Sequence, residues 1–526
     1  MNVITIKQKL RKYGFYSSLV EVKKKILSFF YQVSFLKSFI MLNKRKGLRM
    51  SFLYQDHMIL QCEEILSIKG EAIPGEWVTV SIAGQSKKIC CQSDGRWEIE
   101  LLPLAAGGPY TLEIVTPQKE LIYRDVYAGE VWLCSGQSNM AVVMGKSQKY
   151  DKLVDGAIFR YFQMWAAWPT YPAKWNRWIN RCVNSYLYIR TVAWNNCTSE
   201  TIRKMSAIAY YYGEELSRQL GKPIGLILNP VGGTAEYCWI ERRVLQKECP
   251  EILADWYENR KVTVWMKERA MQNLGGRYPE YEQLHPYHPG YCYETFIRPI
   301  KDFTIKGVIW FSGESSAQLN DTELFEKLQE LLVRSWRESW NQCFPFYYVQ
   351  LHGMNYEQTA GKGIHYYYPE IRNSQRRLLK RIPFSGMAVS YDLSVVNNVH
   401  FPVRKPVGER LARLALYNTY NKDIVPGGPL YHEALLRDNF IYIKFDWSDG
   451  LCTKDGDEPK TFEVAGGDRC FCPAKAWIER DEIVLSCPEI SNPSWVRYAF
   501  SEYPVNANLI NGEGLPAACF EDPIEY

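Results

Sequence analysis

Ser138 is the residue on which a chemical reading of this sequence turns. It follows Val131-Trp132-Leu133-Cys134-Ser135-Gly136-Gln137, where an apolar run stops abruptly in small polar groups. A serine hydroxyl is a weak nucleophile at neutral pH and needs a neighbouring base. His400, in a polar turn just ahead of a helical stretch that opens near Pro406, is the candidate base. His285 and His288 lie in HPYHPG, a proline-marked loop whose spacing is a weak metal signal. The residues beside His400 are Asn397 and Asn398, both neutral, and the nearest upstream carboxylate is Asp392. Three groups could orient the imidazole: Asp392 folded back, Asn398, or a backbone carbonyl. Gly232 and Gly233, in NPVGGT, allow close backbone approach and offer N–H donors for an oxyanion, each worth roughly 3–4 kcal/mol. Glu314, in SGESS, is a further polar group for the oxyanion or the substrate. Glu236 with Glu314 would be the pair if the chemistry were glycoside hydrolysis by two carboxylates. The G-x-S-x-G elbow is absent, because Met140 stands two residues after Ser138.

These residues need a frame that gathers distant segments. Four segments share one feature: CSGQSN (134–139), NPVGGT (229–234), FSGESS (311–316) and NNVHF (397–401) each end an apolar stretch in small or polar residues. In an open α/β sheet, ligands bind beyond the carboxyl ends of the strands, so such ends on one rim form one pocket. Between about 126 and 420, short apolar runs alternate with helical patterns, which predicts an α/β domain with buried parallel strands. Met205, Ala209, Tyr212 and Leu216 fall on one helical face, with a Ser or Thr cap expected ahead of Glu200 or Lys204. Val407, Leu411 and Leu414 do likewise behind Pro406. Over 50–125 the period is two, as in EWVTVSIAG and DGRWEIELL, and predicts a small β-sandwich. Period-two patterning returns over 421–526 and predicts a second β-domain.

Composition narrows the partners. The 526 residues are too many for one ordinary core. With 17 Trp and 36 Tyr, the chain is rich in flat faces with a polar edge, which suit sugars and equally suit β-domain cores. The net charge of +5 belongs to the basic N-terminal extension, 1–49, which holds twelve Lys or Arg against Glu21. The remaining body is net acidic, without a basic stripe, and this excludes a nucleic-acid partner. The extension's apolar run is interrupted by Gln32 and Lys37, too short and too polar for a bilayer span. It reads equally as a poor signal sequence, a basic surface helix, or residues ahead of a start at Met50. Fifteen scattered Cys without a zinc spacing favour a reducing, cytoplasmic setting over secretion. No metal or organic cofactor is expected.

Several long motifs, in order, resemble the sialate O-acetylesterase family, a branch of the SGNH-type hydrolases. They are DHMILQC (56–62), GEVWLCSGQSNM (129–140), GGT (232–234), IKGVIWFSGESSA (305–317), PEIRNSQ (369–375) and the tail from WVRYAF onward. The resemblance covers roughly residues 51–526. It implies an SGNH, flavodoxin-like parallel-sheet esterase core flanked by N-terminal and C-terminal β-sandwich-like domains. It implies Ser138 as nucleophile, His400 as base, and an acetylated sugar as substrate, typically sialic acid. Acetylxylan is the alternative substrate; a glycoside hydrolase and a non-catalytic glycan-binding protein are the other readings. Two departures stand out. Where the family has DIHP this chain has NVHFP, without the carboxylate, and the family's Gln and Asn in QGESN are Ser312 and Ser316.

Overall fold

The computed structural model describes residues 47–147, 158–171, 173–275, 283–355 and 366–525. The basic extension, apart from 47–49, lies outside the described residues.

One strand organises the molecule. Glu120–Gly136 (β1) pairs at its start with Gly107–Val115 in antiparallel fashion and ends as the centre of a parallel sheet. The boundary expected at 125/126 therefore falls inside a continuous strand. The other parallel strands are Phe159–Ala166 (β2), Ile224–Leu228 (β3), Gly307–Phe311 (β4), Phe346–Val349 (β5) and Ser385–Ala388 (β6), in the order β2-β3-β1-β4-β5-β6. Setting aside β2, which extends the edge, the five remaining strands run 2-1-3-4-5 in chain order. That is the flavodoxin-like order, and its switch point lies between β1 and β4. Strands β3, β4 and β5 are buried throughout, as unbroken apolar runs between two helical layers should be.

Helices cover both faces. On one, Trp132 of β1 packs edge-on to Tyr212 of Ala207–Leu220 (α1) and stacks on Tyr347, whose hydroxyl meets Thr419 at the end of Lys405–Asn418 (α4). On the other, Trp310 of β4 meets Trp336 of Thr322–Trp340 (α2), and Tyr348 donates to a carbonyl of Tyr368–Leu378 (α3). The expected face of α1 is buried, but the helix starts later than the Ser/Thr cluster implied. Ile202–Lys204 forms a tight turn, and Ser206 caps the helix by accepting from Ala209 N at 3.2 Å.

The alternation read in the N-terminal region is realised: Val78, Val80, Ile82, Trp97, Ile99 and Leu101 are all buried. Two four-stranded antiparallel sheets follow α4. They dock on α3, where Asn373 donates to Glu521 O at 2.9 Å, Arg376 pairs with Asp522 and Arg372 donates to Ser501 O. Among the described residues no helix is long and apolar enough to cross a membrane.

The end of β1 is locked onto the end of β4. Gln137 N donates to Phe311 O at 2.8 Å, and Gly136 adopts φ +128° with the same carbonyl 2.1 Å from where a Cβ would stand. Gly136→Ala is expected to destabilise the fold by at least ~2 kcal/mol, from backbone strain plus overpacking. A lowered denaturation midpoint checks this.

Candidate active site

Ser138 opens the short helix Ser138–Ala141 directly beyond the Gly136 turn, half-buried at the switch point. Gln137 stitches the two strand ends around it. Its Oε1 accepts from Gly313 N at 3.1 Å and lies 3.1 Å from Ser312 Oγ, and its Nε2 donates to Ser315 Oγ at 2.6 Å. The 229–234 loop comes to the same place. Val231 N donates to Gly136 O at 2.9 Å, and Thr234 Oγ1 donates back to Val231 O. A Cβ on Gly232 would lie 3.3 Å from Ser138 Cβ, so this backbone passes against the nucleophile candidate. Among the described residues, the N–H groups of Ser138, Gly232 and Gly233 and the Ser138 hydroxyl make no hydrogen bond.

The carboxylates lie beneath this rim. Glu314 accepts from Asn139 Nδ2, and Arg404 Nη1 reaches Asn139 O at 3.4 Å. Burial raises the Glu314 carboxyl above its usual range, against the Asn139 hydrogen bond and the Arg404 charge. Glu236 is fully buried and accepts from Ser312 Oγ at 2.7 Å and from Ser316 Oγ. Burial raises its pKa too, and the two hydroxyls oppose this. The serines that replace the family's Gln and Asn thus spend their protons on Glu236.

His400 sits in an exposed turn that is pinned from below. Phe401 is fully buried against His352 and Phe311, and Ser147 Oγ donates to Pro402 O at 3.1 Å. Partial burial, then the charges of Arg404 and of Lys146, which follows the Ser138 helix, lower the imidazole below the ordinary histidine value. The imidazole makes no hydrogen bond to Ser138 or to any other described residue. Asn398 Oδ1 accepts from the backbone N–H of His400 at 3.0 Å, so it shapes the turn. Asp392 is held by Arg410 in a two-pronged pair at 2.7 Å and 2.7 Å.

Sequence reasoning missed the polar groups that hold the rim. Gln375 accepts from Leu351 N at 2.8 Å and donates to Ser312 O and Val349 O, tying β4 to β5. PEIRNSQ carried that signal, since its polar residues recur on a helix that is otherwise buried. His352 was passed over as well. It is fully buried, and burial followed by Arg404 lowers its pKa to about 3. His285 uses both ring nitrogens, on Asn273 at 3.0 Å and on Tyr287 N at 3.1 Å, and has none left for a metal. Away from this rim, Cys62, Glu63 and Glu130 come close enough to share an ion, but Lys222 Nζ already binds both carboxylates.

Fold and site together define an open-sheet α/β protein with a serine at the topological switch point, where such sheets bind ligands. No family model matches the chain. The chain is similar to the sialate O-acetylesterase of Mus musculus, 26% identical over 500 residues that cover 87% of this chain and 90% of that protein. With the sialate O-acetylesterase of Homo sapiens it shares 27% identity over 428 residues, 73% of each chain. A solved carbohydrate acetylesterase from Xanthomonas citri superposes with a TM-score of 0.72 at 26% identity, covering 90% of this chain and 99% of that one. The resemblance read from the motifs therefore extends over most of the chain.

Because Asp392 is spent on Arg410, Asp392→Asn is expected to lower stability by about 1.5–3 kcal/mol, the worth of charged hydrogen bonds. The acid limb of the pH–rate profile should stay where it is. Thermal denaturation and a pH series of ester hydrolysis check the two halves.

Proposed function

We propose that this protein is a serine carboxylic ester hydrolase that removes O-acetyl groups from sugars, with acetylated sialic acid as the substrate. Ser138 Oγ attacks the acetyl carbonyl while His400 takes its proton. The N–H groups of Ser138 and of Gly232 or Gly233 hold the tetrahedral oxyanion. His400 returns the proton to the sugar oxygen as the C–O bond breaks. It then deprotonates a water, which attacks the acetyl-enzyme and releases acetate and Ser138. The observation that carries this reading is the contact between Ser138 and the Gly232 backbone at the switch point, where unspent N–H donors flank an unspent hydroxyl. The missing Ser138–His400 hydrogen bond is compatible with it, because such contacts often tighten only when substrate binds. The similarity to sialate O-acetylesterases and to a carbohydrate acetylesterase supports the same chemistry.

Acetylxylan would be opened by identical steps and differs only in the leaving sugar. Glycoside hydrolysis fits less well, since Glu236 is sealed under two serine hydroxyls and Glu314 under Asn139. On this reading the β units at about 50–125 and 421–526 are β-sandwich-like domains bracketing an esterase domain that runs to about 420, joined to the first of them through the strand Glu120–Gly136, and Asn398 serves His400 by holding its turn.

Ser138→Ala is expected to abolish release of acetate from acetylated sialic acid and from 4-nitrophenyl acetate; retained turnover would assign the chemistry to another nucleophile. His400 must be neutral to accept a proton. With its pKa lowered by burial, Arg404 and Lys146, activity should persist below the ordinary imidazole value of about 6.5 and fall only at more acid pH. A kcat/KM–pH profile measures this.

A further inference from the structure

Beside the Ser138 rim, the Gly233 backbone meets Tyr287, and the charge of Arg269, which pairs with no carboxylate among the described residues, reaches that tyrosine. Gly233 adjoins Gly232, and a Cβ on it would stand 2.7 Å from the Trp265 ring and 2.6 Å from the Tyr287 hydroxyl. The indole and the phenol therefore begin where the Ser138–Gly232 contact ends. Trp265 is half-buried, and its Nε1 is buried without a hydrogen-bond partner. Trp265 stands on the helix Val264–Leu274, and Arg269, four residues on, shares its face. The Arg269 guanidinium lies over the ring of Tyr171 at 4.2 Å, and its charge is felt by Tyr287 and by His285. Tyr171 is itself exposed, at 68%. Among the described residues no carboxylate pairs with Arg269. The helix is anchored by Asn273, whose Nδ2 donates to Thr170 O at 2.8 Å, so this wall has a fixed seat on the 166–171 segment.

We propose that Trp265 and Arg269 form the specificity wall of the site: the indole faces the sugar ring, and the guanidinium takes the carboxylate of an acidic sugar. This rests on the esterase reading above and deepens it, since it selects the acidic substrate over a neutral acetylated glycan. An aromatic face beside a cation matches a ring that carries a carboxylate. Arginine's planar fork matches that group in two places at once. A neutral xylan unit would leave the guanidinium unanswered.

The test compares O-acetylated sialic acid with its carboxyl methyl ester, which differs only in the charge to be recognised. The full-length wild type should prefer the free acid in kcat/KM by roughly 10- to 100-fold, the range of a charge-assisted hydrogen-bonded pair. Arg269→Gln should bring that ratio to about one, and Arg269→Lys should restore part of it. The change should appear in KM, and the wild-type preference should shrink as salt is raised. A wild-type preference that Arg269→Gln leaves intact would overturn the assignment, as would a wild type that does not distinguish the two esters. Loss of both activities in Arg269→Gln, with an unchanged melting temperature, would overturn it as well, because the residue would then act on the chemistry. The esterase reading fails separately, if wild type releases acetate from neither compound nor from 4-nitrophenyl acetate.

Discussion

The carbonyl of Phe311 is the point on which the rest of the site depends. It accepts the amide of Gln137 and stands so close to residue 136 that only hydrogen fits there. Two parallel strands with no turn between them are thereby joined at their carboxyl ends, and the chain is forced to leave the sheet at Gly136. Ser138 then opens a helix of four residues, held by its surroundings more than by its own length. The Gln137 side chain repeats the linkage from the other direction by gripping Gly313 and Ser315. The nucleophile candidate is thus positioned by the frame of the sheet.

Under the rim lies a group of ionisable residues that folding alone does not explain. Glu236, Glu314, His352 and Arg404 are all buried. Burying a charge is costly unless it is paired and hydrogen-bonded. Glu236 meets the hydrogen-bonding part with two hydroxyls, whereas Glu314 has Asn139 on one oxygen and none on the other, and Arg404 is only partly satisfied, burial lowering its pKa to about 9. Ser312 and Ser316 take on a physical meaning here. Their hydroxyls are short enough to reach and donate to the buried Glu236 carboxylate.

The parts of this arrangement that were legible in the sequence are those that follow from strand burial. Runs such as Gly307–Phe311 can only be apolar when helices cover both faces, so their polar ends show where the strands stop. Ser138, Gly232 and Glu314 were found that way: Ser138 and the Gly232 backbone meet at one rim, and Glu314 lies just beneath it. What was not legible depends on pairing between distant segments. Nothing near Asp392 indicates that Arg410 takes both its oxygens. The smooth alternation up to residue 125 does not reveal that β1 runs on into the parallel sheet. The start of α1 was misjudged because a helix buried on nearly every side has little periodicity to mark its first turn. Trp265 and Arg269 were invisible for a related reason: their spacing is ordinary for a helix, and only the approach of Gly233 gives it a meaning.

The electrostatics of the rim tie these observations together. In a Ser-His-Asp triad the carboxylate stabilises the imidazolium that forms as the serine attacks, and its replacement by Asn costs about 10⁴ in rate. Here the imidazole of His400 has Arg404 and Lys146 as its charged neighbours, while Asp392 is neutralised by Arg410. Such surroundings keep the base neutral and ready, yet oppose the charge it must acquire. The proposed oxyanion is served by the backbone N–H groups of Ser138 and the 232–233 turn, so that contribution does not depend on the charge at His400. A substrate that brings its own negative charge shifts the balance, since any anion held near this rim lowers the cost of the imidazolium. An arginine without a carboxylate partner among the described residues, on the proposed substrate wall, and a histidine without a carboxylate therefore agree: both leave an anionic role for the substrate to fill.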